Sequence, residues 1–284
     1  METLKRKIVA DSSCDVTVFP QAAFASAPLK IITSEKEYVD NEMLNVEEMV
    51  NDLKEYNGRS STSCPNTQDW LDAFGDADEV FCITITSNLS GAYNAAMTAK
   101  EVYEANHPGR KVLVIDSLST GPEMALVMEK MAEMIEQGLS FEDIQKESAR
   151  YLQHTGLLFM LESLANLANN GRVSPMVAKV AGLLGIRIVG KASDVGTLEQ
   201  LNKCRGENKA LDALVNHLKE LGLNGGKVRI GHCFNLKAAN ELKNRILAQF
   251  EKAKITIYEC RGLCSFYAEK GGLLVGFEKS AVTA

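Results

Sequence analysis

Short apolar runs bounded by polar turns alternate with longer stretches of helical period along almost the whole chain. Strand-like runs open at Lys7–Ala10, Val80–Ile85, Val112–Ile115, Leu157–Leu161, Val228–Gly231, Ile255–Tyr258 and Leu273–Phe277. Each is too short for a helix and is rich in β-branched residues. Helical patterns fall between them. Asn45 opens "NVEEMVNDLKEY" with Glu48 three residues on, which predicts a capping box. Pro122 stands where a first helical turn lacks partners, and Gly138 predicts the stop of that helix. Ser140 predicts the cap of "FEDIQKESARYLQHT", and Asn66 or Thr67 the cap of a short helix carrying Trp70.

Strands alternating with helices predict an α/β protein of two domains, with parallel or mixed sheets flanked by helices. Two segments read as hairpins. One is "KIITSEKEYVD"; the other is "IRIVGKASDVGTLEQLNKCR", turning near Asp194–Gly196. The division falls between the helix ending near Gln153 and the strand starting near Gly156, giving units 1–154 and 155–284.

Composition narrows the function. The chain has 284 residues, 45% of them hydrophobic, and a formal charge of −6. That balance excludes a general nucleic-acid backbone binder. No apolar run approaches a membrane span, and the N-terminal apolar run is too short for a secretion signal, so a cytoplasmic protein is expected. Seven scattered cysteines (14, 64, 82, 204, 233, 260, 264) predict reduced thiols. The C-x₃-C spacing of Cys260 and Cys264 has no paired Cys or His after it, so no metal site is expected.

Two nucleotide motifs fail. Residues 185–193, "GIRIVGKAS", approach a phosphate loop, but Ala192 replaces the magnesium-binding hydroxyl and no helix follows. Gly190 is therefore expected at a packing or bend position. No G-x-G-x-x-G follows a strand.

Hydroxyl-rich turns hold the remaining candidates. In "TSNLSGAY", Ser90 and Gly91 stand at a helix entrance, where a hydroxyl, bare N–H groups and the helix dipole suit an anion. Ser90 could equally cap its own helix. As a nucleophile it lacks the first glycine of an elbow, because Asn88 stands there. His107 lies in a loop, and His154 and His217 in helix-like segments. His232 alone ends a strand-like run, so a hydrolase acting on a lipid ester would pair Ser90 with His232, with no evident third member. "RSSTSCPN" supplies Thr62 and Ser63, and "ADSS" supplies Ser12 and Ser13, each beside a strand. Open α/β sheets bind ligands at such turns.

Read in order, these segments resemble the DegV family of bacterial fatty-acid-binding proteins. "DSS" resembles its D-S-T/S start. "TSCPN" resembles T-S-Q-P-S with Cys64 for Gln, and "TSNLSGAY" resembles S-S-x-L-S-G-T-Y with Ala92 for Thr. "VIDSLSTG" matches the strand and turn that follow. "LANNGRVS" resembles K-K-G-G-R-I-S, and "NKCRGENKAL" resembles K-x-R-G-R-K-K-A-L. The likeness runs from Lys7 to about Phe277. It implies a non-catalytic carrier without cofactor that holds a long-chain fatty acid, such as palmitate, as its ligand between the two domains and presents it to an ATP-dependent kinase making an acyl phosphate. It further implies that Thr62 or Ser63, Ser90 and Gly91 hold the carboxylate, and that Arg205 faces the kinase. A lipid-sensing regulatory protein is the other non-enzymatic reading. One departure stands out: where the family has the His of H-T-G-P-G-A-L-G, this chain has Tyr267. A phenol can donate one hydrogen bond there.

The physical balance suits such a ligand. A tail of about 14 methylenes, at about 0.8 kcal/mol each, gains ~11 kcal/mol gross before ordering costs. The tail then supplies affinity and the head supplies orientation. Residues 173–189, with Met176, Leu183 and Leu184, are the expected tunnel lining.

Overall fold

The computed structural model describes residues 4–176 and 185–280. A parallel sheet forms first along the chain, in the order β2-β1-β6-β7. Its strands are β1 (Arg6–Asp11), β2 (Phe24–Ala27), β6 (Glu79–Thr84) and β7 (Lys111–Asp116). Ile8, Val9 and Ala10, and likewise Val80 to Ile83, are buried without alternation. Such continuous burial requires cover on both faces, as parallel sheets have. The helices Thr67–Phe74, Ala92–Asn106, Gly121–Glu136 and Phe141–Leu152 contribute to that core through Trp70, Phe74, Tyr103, Met124, Met128 and Phe141.

A second, six-stranded sheet draws every strand from beyond residue 154. Its strands are β8 (Thr155–Leu161), β9 (Ile186–Ala192), β10 (Leu198–Arg205), β11 (Leu223–His232), β12 (Lys254–Glu259) and β13 (Leu273–Lys279). Their order is β10-β9-β8-β13-β11-β12, with β11 and β12 parallel and the other neighbours antiparallel. Leu158, Met160, Val275 and Phe277 turn to one face, onto the helices Glu207–Glu220 and Leu236–Gln249. Leu157, Phe159, Leu161 and Leu274 turn to the other. We propose to divide the chain between residues 154 and 155 on this partition of strands.

The helix Gly121–Glu136 lies against both sheets and is buried along its whole first half. Gly276 allows this approach: a Cβ there would sit 2.6 Å from Glu123 N. Gly190 is a packing position too, because a Cβ would meet the Phe159 ring at 2.3 Å.

A small antiparallel sheet completes the fold, in the order β4-β3-β5. Strands β3 (Lys30–Ile32) and β4 (Glu37–Val39) form the first expected hairpin. The hydroxyl-rich turn at 61–63 is a strand, β5 (Ser61–Ser63), although its three hydroxyl residues carry no apolar alternation. Backbone pairing to β3 places it, with Ile31 opposite Thr62. The second expected hairpin, β9–β10, forms as read, with Gly196 in the left-handed region at its turn.

Caps follow the sequence with one correction. Asn66, Ser140 and Asn45 all accept first-turn N–H groups. The helix Val46–Glu55 has no reciprocal capping box, because Lys36 draws the Glu48 carboxylate away at 3.1 Å.

Candidate functional site: an apolar cavity with one polar end

Between the outer face of β8 and the loops of the parallel sheet lies a cavity of about 330 Å³. Its apolar wall is built by Leu157, Phe159, Leu161, Ala192, Leu198 and Leu274. Alternation along β8 explains the wall, because every second side chain points inward. Residues 62–64, 85–91 and 118–120 supply the opposite side.

Part of the cavity lining is polar. Thr62, Ser63, Ser90, Gly91 and Tyr267 all belong to it. The Thr62 and Tyr267 hydroxyls are 2.6 Å apart. A Cβ on Gly91 would lie 3.2 Å from Cys64 Sγ, so the two hydroxyl loops touch. The helix Ala92–Asn106 starts here with Gly91 as its cap residue and no side-chain cap from it. The Ser90 hydroxyl accepts the Ala92 N–H at a long 3.3 Å. Ser90 is therefore at once a loose local acceptor and a half-buried hydroxyl at the cavity.

Arg172 adds a cation that residue-type reasoning had assigned no role. Its guanidinium lies 5.7 Å from the Tyr267 ring centre. It donates to Leu89 O at 3.1 Å and to Asn170 O at 2.6 Å. The hydroxyls lining the cavity thus have a cation beside them. The signal was the "NNGRVS" turn, whose arginine gains meaning only from its neighbours in space. Burial pushes the Tyr267 phenol above its ordinary pKa, while the Thr62 hydrogen bond and the Arg172 charge pull the other way.

Tyr267 is carried by the helix Gly262–Ala268, a seven-residue element with no capping side chain to mark it in the sequence. Three acidic-residue bonds from the N-terminal part hold its start. Asp40 accepts Gly262 N at 2.9 Å and Leu263 N at 2.8 Å, and Asp15 accepts Arg261 N at 2.8 Å. Asp40 is 2% exposed, and burial raises its pKa against those backbone bonds. Asn166 Nδ2 fixes the far end through Phe266 O at 2.8 Å.

Other expected residues go elsewhere. Ser12 and Ser13 are buried structural groups: Ser12 accepts Leu29 N and Ser13 is bound to Asp11. Ser90 and His232 are not brought together. His232 is 5% exposed at the end of β11, outside the cavity lining, with no partner at Nδ1. Burial lowers its pKa. A Ser90–His232 hydrolase pair is corrected on that ground, because the strand that carries His232 does not border the cavity. Arg205 is exposed at the end of β10, away from the lining. Of the tunnel candidates, Met176 is exposed, and Leu183 and Leu184 lie outside the described residues. Among the described residues no cluster of three or more His, Cys, Asp or Glu could hold a metal ion. None of their helices is long and apolar enough to cross a membrane.

A model of the family described as "Uncharacterised protein, DegV family" matches residues 5–280. The chain belongs to the DegV family. A DegV domain-containing protein of Streptococcus pneumoniae is 43% identical over 276 residues, which is 96% of this chain and 98% of the relative. Among solved structures, a DegV family protein from Eubacterium eligens loaded with heptadecanoic acid is 44% identical with a TM-score of 0.95, covering 97% of this chain and all of that one. The Streptococcus pneumoniae fatty acid kinase (Fak) B3 protein loaded with linoleic acid is 42% identical with a TM-score of 0.96. There the alignment covers 98% of this chain and 100% of that one. This DegV chain shares its α/β architecture with both.

Proposed function

We propose that this chain is a carrier that binds a long-chain fatty acid and presents its carboxylate to an ATP-dependent kinase. One observation carries the reading: the paired hydroxyls of Thr62 and Tyr267, the Arg172 guanidinium beside them and the Ser90 loop that Arg172 holds at Leu89 O line the same cavity as the apolar side chains of β8. An amphiphile with one anionic head and a hydrocarbon tail matches that polarity. Two DegV relatives more than 40% identical to this chain are described as loaded with fatty acids, and one of them as a fatty acid kinase B protein.

In this reading the tail lies against Leu157, Phe159 and Leu161. The carboxylate accepts from Thr62 or Ser63, Ser90 and the Gly91 backbone, beside Arg172. With the Tyr267 hydroxyl donating to Thr62, the Thr62 proton points at the ligand. The protein itself is not catalytic, and Arg205 belongs to the face that meets the kinase. Seven cysteines without a disulfide fit a reducing, cytoplasmic setting.

Solvent extraction of the purified protein followed by mass spectrometry tests this directly, and stoichiometric long-chain fatty acid is expected. Protein that yields no lipid and captures none when offered it would refute the carrier. Ser90→Ala is expected to weaken capture about tenfold, the worth of one charge-assisted hydrogen bond, with folding nearly unchanged. A lipid titration with equal affinities for the two proteins would remove Ser90 from the site.

Tyr267 sets a further expectation. A phenol whose pKa is raised from its ordinary 10.0 does not titrate near neutrality. Its bond to Thr62 therefore persists from pH 6 to 9 on the reference scale. Fatty-acid affinity of Tyr267→His should vary over that range, with a histidine now titrating there, while the parent stays flat. Identical pH profiles would argue that residue 267 does not act on the head group.

A further inference from the structure

Resting on the carrier reading, we propose that Asn88 is a positioning residue for the head group. Its side chain ties the loop that carries Ser90 to the β9–β10 turn, residues 193–197, and so fixes the direction in which the Ser90 hydroxyl meets the carboxylate.

Ser90 has little of its own to hold it. Among the described residues its hydroxyl makes one long contact, 3.3 Å from Ala92 N. Gly91 after it gives the helix no side-chain cap. The loop is anchored at its base, where Thr86 N donates to Ser119 O at 2.9 Å and Leu89 N to Thr86 O at 3.2 Å. Nearer Ser90 the holds come from beyond residue 154. Arg172 donates to Leu89 O. Asn88 Nδ2 donates to Val195 O at 2.6 Å, across 107 positions of chain. Asn88 itself is exposed and does not line the cavity, so it acts on the site through the residues that follow it.

The acceptor is built to stay in place. Ser193 N donates to Thr197 O and Gly196 N to Ser193 O, each at 2.8 Å. The Ser193 and Thr197 hydroxyls are 2.8 Å apart. At the foot of the turn Ala192 pairs with Leu198, and both line the cavity. Gly196 seats the turn against the Ser90 loop. Its φ is +75°, and a Cβ there would lie 2.1 Å from Thr86 Oγ1 and 3.0 Å from the Leu118 Cα. Both the backbone conformation and the space therefore require glycine. That close seat puts Val195 O within reach of Asn88. The loop that offers the Ser90 hydroxyl is thereby held by the strand pair that forms part of the apolar wall. A donor already aimed loses less freedom when its ligand arrives.

The experiment measures affinities of the delipidated full chain for palmitate and for hexadecanol, which has the same length and no carboxylate. Asn88→Ala is expected to weaken palmitate about threefold, part of the tenfold assigned to Ser90→Ala, with the melting temperature unchanged. Hexadecanol should weaken less, because a neutral head makes no charge-assisted bond. In a Ser90→Ala background Asn88→Ala should change palmitate affinity no further, since it acts through that hydroxyl. A parent that binds neither ligand defeats the carrier reading, and this inference with it. A parent that binds palmitate overturns the positioning role, and leaves the carrier standing, if Asn88→Ala binds palmitate equally well, weakens both ligands alike, or adds its full effect to that of Ser90→Ala.

Discussion

Asp40→Ala is expected to cost about 3 kcal/mol of folding stability and most of the bound lipid, although Asp40 does not line the cavity. Its carboxylate, 2% exposed, holds two backbone donors, Gly262 N and Leu263 N. Alanine would leave both N–H groups buried without an acceptor, each costing about 1–3 kcal/mol. Relief from burying a charge offsets part of that loss. The freed helix start also carries Tyr267, so the Thr62–Tyr267 contact loses its register. Urea unfolding gives the stability change, and lipid extraction gives the occupancy. Asp40→Asn keeps one acceptor oxygen and should lose about half as much. A midpoint for Asp40→Ala matching the parent would mean that water or another group supplies the acceptor. The role assigned to the clamp would then fall.

The second large effect is a stability that declines with rising pH. Burial lifts Asp11 to about 6 and Asp15 to about 7, against hydrogen bonds from Ser13 and Ile85 to the first and from Arg261 to the second. Asp40 nearby pushes both further up. One oxygen of Asp15 has no well-formed hydrogen bond, so its ionised form is compensated mainly by the Arg261 N–H and weakly by the Cys264 and Cys260 thiols. Both carboxyls hold protons more tightly in the folded than in the unfolded chain, where a carboxyl titrates near 4. The folded state therefore binds more protons between pH 4 and 7, and stability falls as pH rises through that window. For Asp15 alone the loss between pH 5 and 8 is roughly 2–3 kcal/mol. Asp15→Asn keeps the acceptor for Arg261 N but cannot ionise. Its melting temperature should fall less from pH 5 to 8 than that of the parent. Equal falls would place the ionising group elsewhere.

The two effects meet at one helix. Asp15 and Asp40, both from the first unit, fix residues 261–263 of the second. The polar part of the cavity lining is assembled by contacts between segments more than two hundred residues apart: Thr62 and Tyr267 are separated by 205 positions, Asp40 and Gly262 by 222.

That separation divides what the chain reveals at each level. The sequence by itself determined the seven main strand runs, both hairpins and the helix caps at Asn66 and Ser140, because period and capping are local. It also marked Thr62, Ser63 and Ser90 as hydroxyls at turns beside strands, which is a local signal as well. Strand β5 escaped, since "STS" joins a sheet through backbone bonds to β3 rather than through any pattern of its own. Arg172, the clamp by Asp15 and Asp40, and the helix under Tyr267 were decided by tertiary structure alone. The wall of the cavity was too: among the described residues its apolar side chains come from β8, β9, β10 and β13, strands far apart in the chain. A hydrophobic period records which face of an element is buried. It does not record what lies opposite, and a binding site is made of what lies opposite.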